Sequence, residues 1–512
     1  MNPLPPNTSA QNGPQGPHIP HGSHESPGDR APQRPAEPAL HALGVAELGA
    51  GFAAGHFTPL QVLDAVQAHI ARWEPAIAAL YAPDPAAARE AAAAATARWQ
   101  AGGPLSPLDG VPVTIKENIA TRGTPVPLGT AATVLSPAPA DAPPAARLRE
   151  AGAVLLAKTT MPDWGMLSSG LSSFHPLTRN PWDLSLNPGG SSAGAAAAAA
   201  AGYGPVHLGT DIGGSIRLPA SWCGVVGFKP SGGRIPIQPP YLGRVAGPLA
   251  RRVSDVIRVM PVLARPDWRD ATSLPPQPLD WAACEQPLDL RGLRLGLWLD
   301  AGWGTPLSPA VRAVVEAAAA RLEAAGAELR VLPPFMHRDM IDGLDRFWRM
   351  RSWLDFERLA PAQQAQVLPY IRQWIARGAT LSGAEVFTGF SQIPALRDAA
   401  VAACQGLDAV LGPVSPEPAF PAGQASPLDD PERPFEHIAY TVAWNMSEQP
   451  AISLNAGFTD AGLPVGVQLI GHRHDDLGLL RLALQAEALL APGLAGRWPA
   501  PPAPPASATS GD

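Results

Sequence analysis

The chain has 512 residues, 46% of them apolar and only 16% charged, a balance that implies a folded protein with a large buried core. Its net charge of −7 gives no basic footprint for nucleic acid, and no dense run of like charge points to a membrane surface. Three scattered cysteines, Cys223, Cys284 and Cys404, do not make a disulfide framework and suit reduced thiols in a cytoplasmic protein.

Residues 1–38 are rich in Pro, Gly, His and polar residues and read as a disordered tail. His18, His21 and His24 lie there with nothing nearby to fix a metal geometry, so neither metal nor cofactor is expected. No basic segment followed by an apolar run marks a leader peptide. The first helix is announced by Thr58-Pro59-Leu60-Gln61: a capping threonine, proline at the first helical position and glutamine three after the cap. Leu60, Leu63, Val66, Ile70 and Trp73 then recur on one face. An alanine-rich helix is expected over 85–100, and strands over 111–116, 153–157 and 206–209. Further on, a strand at 293–299 precedes a helix opened by Ser308-Pro309, and late strands fall at 409–412, 451–455 and 465–470. Alternating helices and strands argue for an α/β fold whose sheet is covered on both faces. One domain over 39–497 is expected, followed by a Pro/Ala-rich disordered tail at 498–512.

The stretch from Asn187 to Ala220 carries the chemistry. It sets Ser191 and Ser215 in two glycine-flanked turns on either side of an alanine run, and Lys116 ends the apolar strand VPVTIK upstream. Glycine-flanked serines suggest backbone N–H groups converging beside a nucleophile, and two serines with a lysine can replace a histidine-based triad. Two other patterns compete for these residues. Gly190 to Gly194 fits G-x-S-x-G with Ser192 as the nucleophile of an α/β-hydrolase-type esterase, but 186–190 reads as a loop where that motif needs a strand. Gly209 to Gly214 has phosphate-loop glycine spacing, with Ser215 where the lysine should stand.

Taken together, the segments resemble the amidase signature family. GVPVTIKEN (110–118), GGSSAG (189–194) and GTDIGGSIRLPA (209–220) carry the resemblance. AGAVLLAKTTMPDWG from Ala151, FHPLTRNPWD from Phe174, CGVVGFKPSGGRIP from Cys223 and PVGVQLIG from Pro464 support it. The resemblance implies a large mixed central sheet between helical layers, and a hydrolase cleaving linear carboxylic amides to release ammonia or an amine. It implies Ser215 as nucleophile, Ser191 (after a cis peptide bond) as relay and Lys116 as base. The backbone N–H groups of Ile212, Gly213, Gly214 and Ser215 would form the oxyanion hole. Ser192, Thr210, Asp211 and Arg217 would play supporting roles. Ala193 and Glu117 are mild departures from the family's usual glycine and aspartate.

The family also contains the glutaminase (A) subunit of glutamyl-tRNA amidotransferase. Here 234–252 reads RIPIQPPYLGRVAGPLARR, unlike that subunit's usual pattern, so a free-standing bacterial-type amidase with a small-molecule amide substrate is expected and the subunit is the alternative. A homodimer is left open. Trp164, Trp182, Tyr241, Trp303, Trp348, Trp353 and Trp444 are candidates to line an apolar pocket, and 270–440 should hold much of the acyl selectivity.

Overall fold

A computed structural model describes residues 39–494 and 496–502 of the chain. The proposed tail at 1–38, with its three histidines, lies outside the described residues, as do 503–512.

Eleven strands form one sheet: β1 Leu80–Tyr81, β2 Pro112–Lys116, β3 Val154–Thr159, β4 Val206–Asp211, β5 Val226–Lys229 and β6 Val245–Ala250, then β7 Arg294–Leu297, β8 Glu328–Val331, β9 Ala409–Pro413, β10 Ala451–Phe458 and β11 Pro464–Ile470. Their order is β1-β3-β2-β4-β6-β5-β10-β11-β9-β7-β8. The pairs β2/β3, β2/β4, β7/β8 and β7/β9 are parallel and the others antiparallel, so the sheet is mixed, as the resemblance implied. Alternation along the strands explains the two covered faces. Ile452, Leu469 and Leu411 enter one apolar cluster with helices Pro309–Ala324 and Asp476–Leu490. Their neighbours Ala451, Ile470 and Val410 enter another with helices Arg338–Glu357 and Gly383–Ala403.

Local signals act as expected where they are strong. Thr58 caps helix Pro59–Ile77 by accepting from the Gln61 N–H at 3.2 Å, and the Gln61 side chain accepts in return from the Thr58 N–H. β6 was not predicted, because Gly247 and Pro248 sit inside it. Tertiary pairing overrides that composition, with β6 hydrogen-bonded to β4 on one side and β5 on the other. Trp498, assigned to the C-terminal tail, is only partly exposed. It packs against the cluster around the alanine helix, with the Arg251 guanidinium 4.3 Å from its ring centroid.

The topology places the site. β2 and β4 run parallel with Thr114 opposite His207, so Lys116 and Asp211 end their strands on the same side of the sheet. Ligand sites in open α/β sheets form at such carboxyl ends. Helix Ala193–Ala201 is wholly buried between Trp73 and Tyr203 on one flank and Ile216, Ala220 and Leu249 on the other. Only side chains as small as alanine let its backbone approach so closely. Gly194 lies against the Ala79 carbonyl, where even one methyl group would collide. Among the described residues, no helix is long and apolar enough to cross a membrane.

Candidate active site

Lys116 is fully buried, and its Nζ lies 2.8 Å from Ser191 Oγ and 3.1 Å from Ser192 Oγ. Burial holds its amine well below the ordinary lysine value; the positive charge of Arg244 acts in the same direction, opposed by Asp211 and Glu117. The Gly190–Ser191 peptide bond is cis. Gly165, at φ +68°, passes so close that a Cβ there would stand 3.3 Å from Ser191 Oγ.

Ser192 immediately precedes the alanine helix, and its hydroxyl is fully engaged. It donates to the Thr210 carbonyl at 3.1 Å and accepts from the Thr210 N–H at 3.2 Å, beside its contact with Lys116. With no exposed surface and no strand leading into it, Ser192 lacks what a nucleophile elbow requires. It ties Lys116 to the end of β4.

Ser215 follows β4 in the tight turn 212–216. Its carbonyl accepts the Ser192 N–H at 3.1 Å, which joins the two serine turns directly. Ser215 Oγ makes no protein hydrogen bond among the described residues, so the contact expected between Ser191 and Ser215 is not formed here. Catalytic hydrogen bonds in substrate-free sites are often long and tighten on binding. Gly214 has φ +127°, and an added Cβ would come within 2.5 Å of Thr441 Oγ1 and 2.7 Å of Leu218 Cδ1. Only glycine fits that position.

One member of the expected oxyanion hole must be corrected. The Gly214 N–H already donates to Asp211 Oδ1 at 2.7 Å, so it holds the turn and cannot also serve a substrate oxygen. The N–H groups of Ile212, Gly213 and Ser215 have no such partner among the described residues.

Asp211 is the hub of the turn. Its carboxylate accepts from the Gly214 and Ile216 N–H groups, from Asn445 Nδ2 at 2.8 Å and from Arg217 Nε at 3.1 Å. Burial alone would raise its pKa, but the Arg217 charge and these donors together hold it well below the usual carboxylate range. Arg217, also fully buried, spends its remaining donors on Gln468 Oε1, the Thr441 carbonyl and Asn445 Oδ1. Thr441 Oγ1 in turn donates to the Gly213 carbonyl at 2.6 Å. Thr441, Asn445 and Gln468 come from segments more than two hundred residues downstream, and no local pattern in the sequence identifies them.

Two cavities meet at Ser215. A narrow slot of about 40 Å³ is walled by Met166, Ile212, Trp348, Tyr370, Phe435 and Ile438, and His437 also lines it. Burial pushes the His437 imidazole down to about 3, so it is neutral. A cleft of about 720 Å³ holds Asn118, Ser191, Thr210, Tyr241, Arg244 and Trp164. Of the aromatic candidates, Trp164, Tyr241 and Trp348 therefore face the cavities. Trp444 and Trp182 do not: their indole N–H groups serve the Tyr440 and Cys223 carbonyls. The three cysteines are buried, and burial pushes the Cys223 thiol far up, so it is inert. Among the described residues, no three His, Cys, Asp or Glu side chains gather in a metal-binding group.

The fold thus sets a buried lysine at the end of β2 beside two glycine-flanked serine turns, the second of which follows the parallel strand β4. The amidase family model matches residues 61–480, and the chain belongs to that family, the amidase signature enzymes. The chain is 35% identical over 475 residues to the glutamyl-tRNA(Gln) amidotransferase A subunit of Chloroflexus aggregans, covering 86% of this chain and 95% of that protein. Among solved structures it is similar to a bacterial aryl acylamidase of the amidase signature family (TM-score 0.78, 28% identity, 88% of this chain and 96% of that one). It is also similar to 6-aminohexanoate cyclic dimer hydrolase (TM-score 0.79, 27% identity, 90% and 99%).

Proposed function

We propose that the chain hydrolyses carboxylic amides through an acyl-enzyme on Ser215, with Ser191 and Lys116 carrying the proton. The observation that carries this reading is the buried Lys116 amine, 2.8 Å from Ser191 Oγ, beside a cleft that Ser191 and Ser215 both line. A neutral amine has a lone pair with which to accept a proton. As Ser215 Oγ attacks the carbonyl carbon, its proton passes to Ser191 and the Ser191 proton passes to Lys116. Seating of the substrate brings the two serine hydroxyls together. The carbonyl oxygen, now negative, is held by the N–H groups of Ile212, Gly213 and Ser215. Collapse breaks the C–N bond, and the relay returns the proton to the departing amine. Water then cleaves the ester by the same path.

The apolar slot supports an acyl group with little polarity, and with it a free-standing hydrolase. Esters of the same acids would share the acyl-enzyme. The second reading is the glutaminase subunit, and by name the curated relative supports it better than it supports a free-standing enzyme. On that reading the released ammonia goes to a second protein of the complex, and a tRNA-borne substrate replaces the expectation of no nucleic-acid partner. The divergence at 234–252 and the aromatic slot support the first.

Two measurements test the proposal. A fluorophosphonate probe should label Ser215, and Lys116→Ala should abolish turnover; labelling at Ser192, or activity retained without Lys116, would overturn it. Comparing an arylamide with L-glutamine separates the readings, because glutamine cleaved while the arylamide is untouched would favour the glutaminase.

A further inference from the structure

We infer that Arg244 and Arg351 form a carboxylate-recognising pair in the outer cleft, so that the preferred substrates join an apolar acyl group to an amine that bears a carboxylate. This inference rests on the proposed amide hydrolysis and specifies its substrate class.

Three buried arginines elsewhere have acidic partners: Arg217 with Asp211, Arg234 with Asp476 and Arg349 with Asp345; half-buried Arg251 instead donates to the Ala199 and Ala200 carbonyls. Arg244 and Arg351 are different. Both are partly buried in the cleft that holds Ser191 and Ser215, and neither has a carboxylate partner among the described residues. The Arg244 side chain makes one hydrogen bond, Nη1 to the Pro239 carbonyl at 3.2 Å. Arg351 lies over the Tyr241 ring, 4.4 Å from its centroid, which fixes the plane of its guanidinium. Two acidic residues line the cleft, and neither is within ion-pair distance of Arg244 or Arg351. Asp211 belongs to Arg217, and Asp355, one helical turn after Arg351, stands 3.9 Å from Arg358. Two like charges facing one cleft with no ion pair to either are unfavourable, and a planar oxyanion bound between them relieves the repulsion.

The cavities assign the two halves of the substrate. Ser191, Asn118 and Thr210 line the cleft and not the slot, whereas Trp348, Phe435 and Ile438 line the slot and not the cleft. The proton that releases the amine arrives through Ser191, so the leaving amine must lie on the Ser191 side, in the cleft with the arginines. The acyl group then occupies the aromatic slot. Arg351, like Ser215, borders both cavities.

The test uses two amides with one acyl group, N-benzoylglycine and N-benzoylethanolamine. The carboxylate should be favoured in kcat/KM by about tenfold or more, less at high salt, and Arg351→Gln should collapse that ratio while Arg351→Lys keeps part of it. Equal rates for the two amides in the unaltered enzyme, or an unchanged ratio in a folded Arg351→Gln protein, overturn the inference. The second result would leave Arg351 with only its stacking on Tyr241. If neither amide turns over, protection of Ser215 against the fluorophosphonate is read instead. N-benzoylglycine should protect and N-benzoylethanolamine should not; equal protection, or none, overturns the inference. A Ser215 that no probe labels counts against the proposed hydrolysis itself.

Discussion

At the scale of single residues, Lys116 decides most. In the proposed relay its amine is useful only when neutral, and burial lowers its pKa first, with Arg244 adding to the effect. Below that lowered pKa the lysine is protonated and cannot accept from Ser191, so kcat/KM for a neutral amide should rise with pH through it. Removing the Arg244 charge lets Lys116 hold its proton to higher pH. Arg244→Gln should therefore move the rising limb upward, and a limb that stays in place would remove Arg244 from the account. Ser192 is a different kind of residue, with its hydroxyl bound to Lys116 and to both backbone groups of Thr210. Ser192→Ala leaves buried partners unpaired and should cost about 1–3 kcal/mol of stability in urea unfolding, while Ser215 still accepts the fluorophosphonate.

The turn after β4 is the element on which the site depends, and it is held from both ends. Asp211 fastens the Gly214 N–H from below, and Thr441 fastens the Gly213 carbonyl from a distant loop. Gly214→Ala places a methyl group against Thr441 and Leu218 at a φ that alanine avoids. We expect a loss of about 1–3 kcal/mol in stability from backbone strain, with a larger fall in kcat than in KM because the proposed oxyanion donors lie in this turn. Asp211→Asn leaves Arg217 buried without its counter-charge. Breaking such a pair costs about 3–5 kcal/mol, read as a lower midpoint in denaturant unfolding. A variant with unaltered stability would show that the hydrogen bonds, and not the charge, hold the turn.

Across the whole molecule, the core contains two further buried lysines. Burial pushes Lys158 and Lys229 each down to about 7, and their amines donate to the Ile119 and Pro230 carbonyls. In the unfolded chain each would keep its proton to about 10.4. Between pH 7 and 10 the unfolded state therefore binds more protons than the folded one, so stability rises with pH in that window. The slope contributed is about 1.4 kcal/mol per pH unit for each lysine. Unfolding free energy measured at pH 7.5 and 8.5 should show the rise, and Lys229→Met should reduce its slope. An unchanged slope would place the Lys229 ammonium in a better-solvated setting than its burial implies.

Much of this protein is written locally. The capped helix at Thr58, the short apolar strands and the glycine-flanked serines each follow from the covalent limits and side-chain preferences of a few adjacent residues, so the sequence determined the α/β class and, with the family resemblance, pointed to Lys116, Ser191 and Ser215 as the proposed catalytic residues. Strand β6, with glycine and proline inside it, was invisible because its stability comes from neighbours on both sides. The partners of Asp211 and Arg217 were hidden for the same reason. The family resemblance made Gly214 look like an oxyanion donor, and only the folded turn, with Asp211 claiming its N–H, removed it. The unpaired arginines of the cleft were likewise undecidable in one dimension, since whether a charge has a partner depends on what the fold brings within reach.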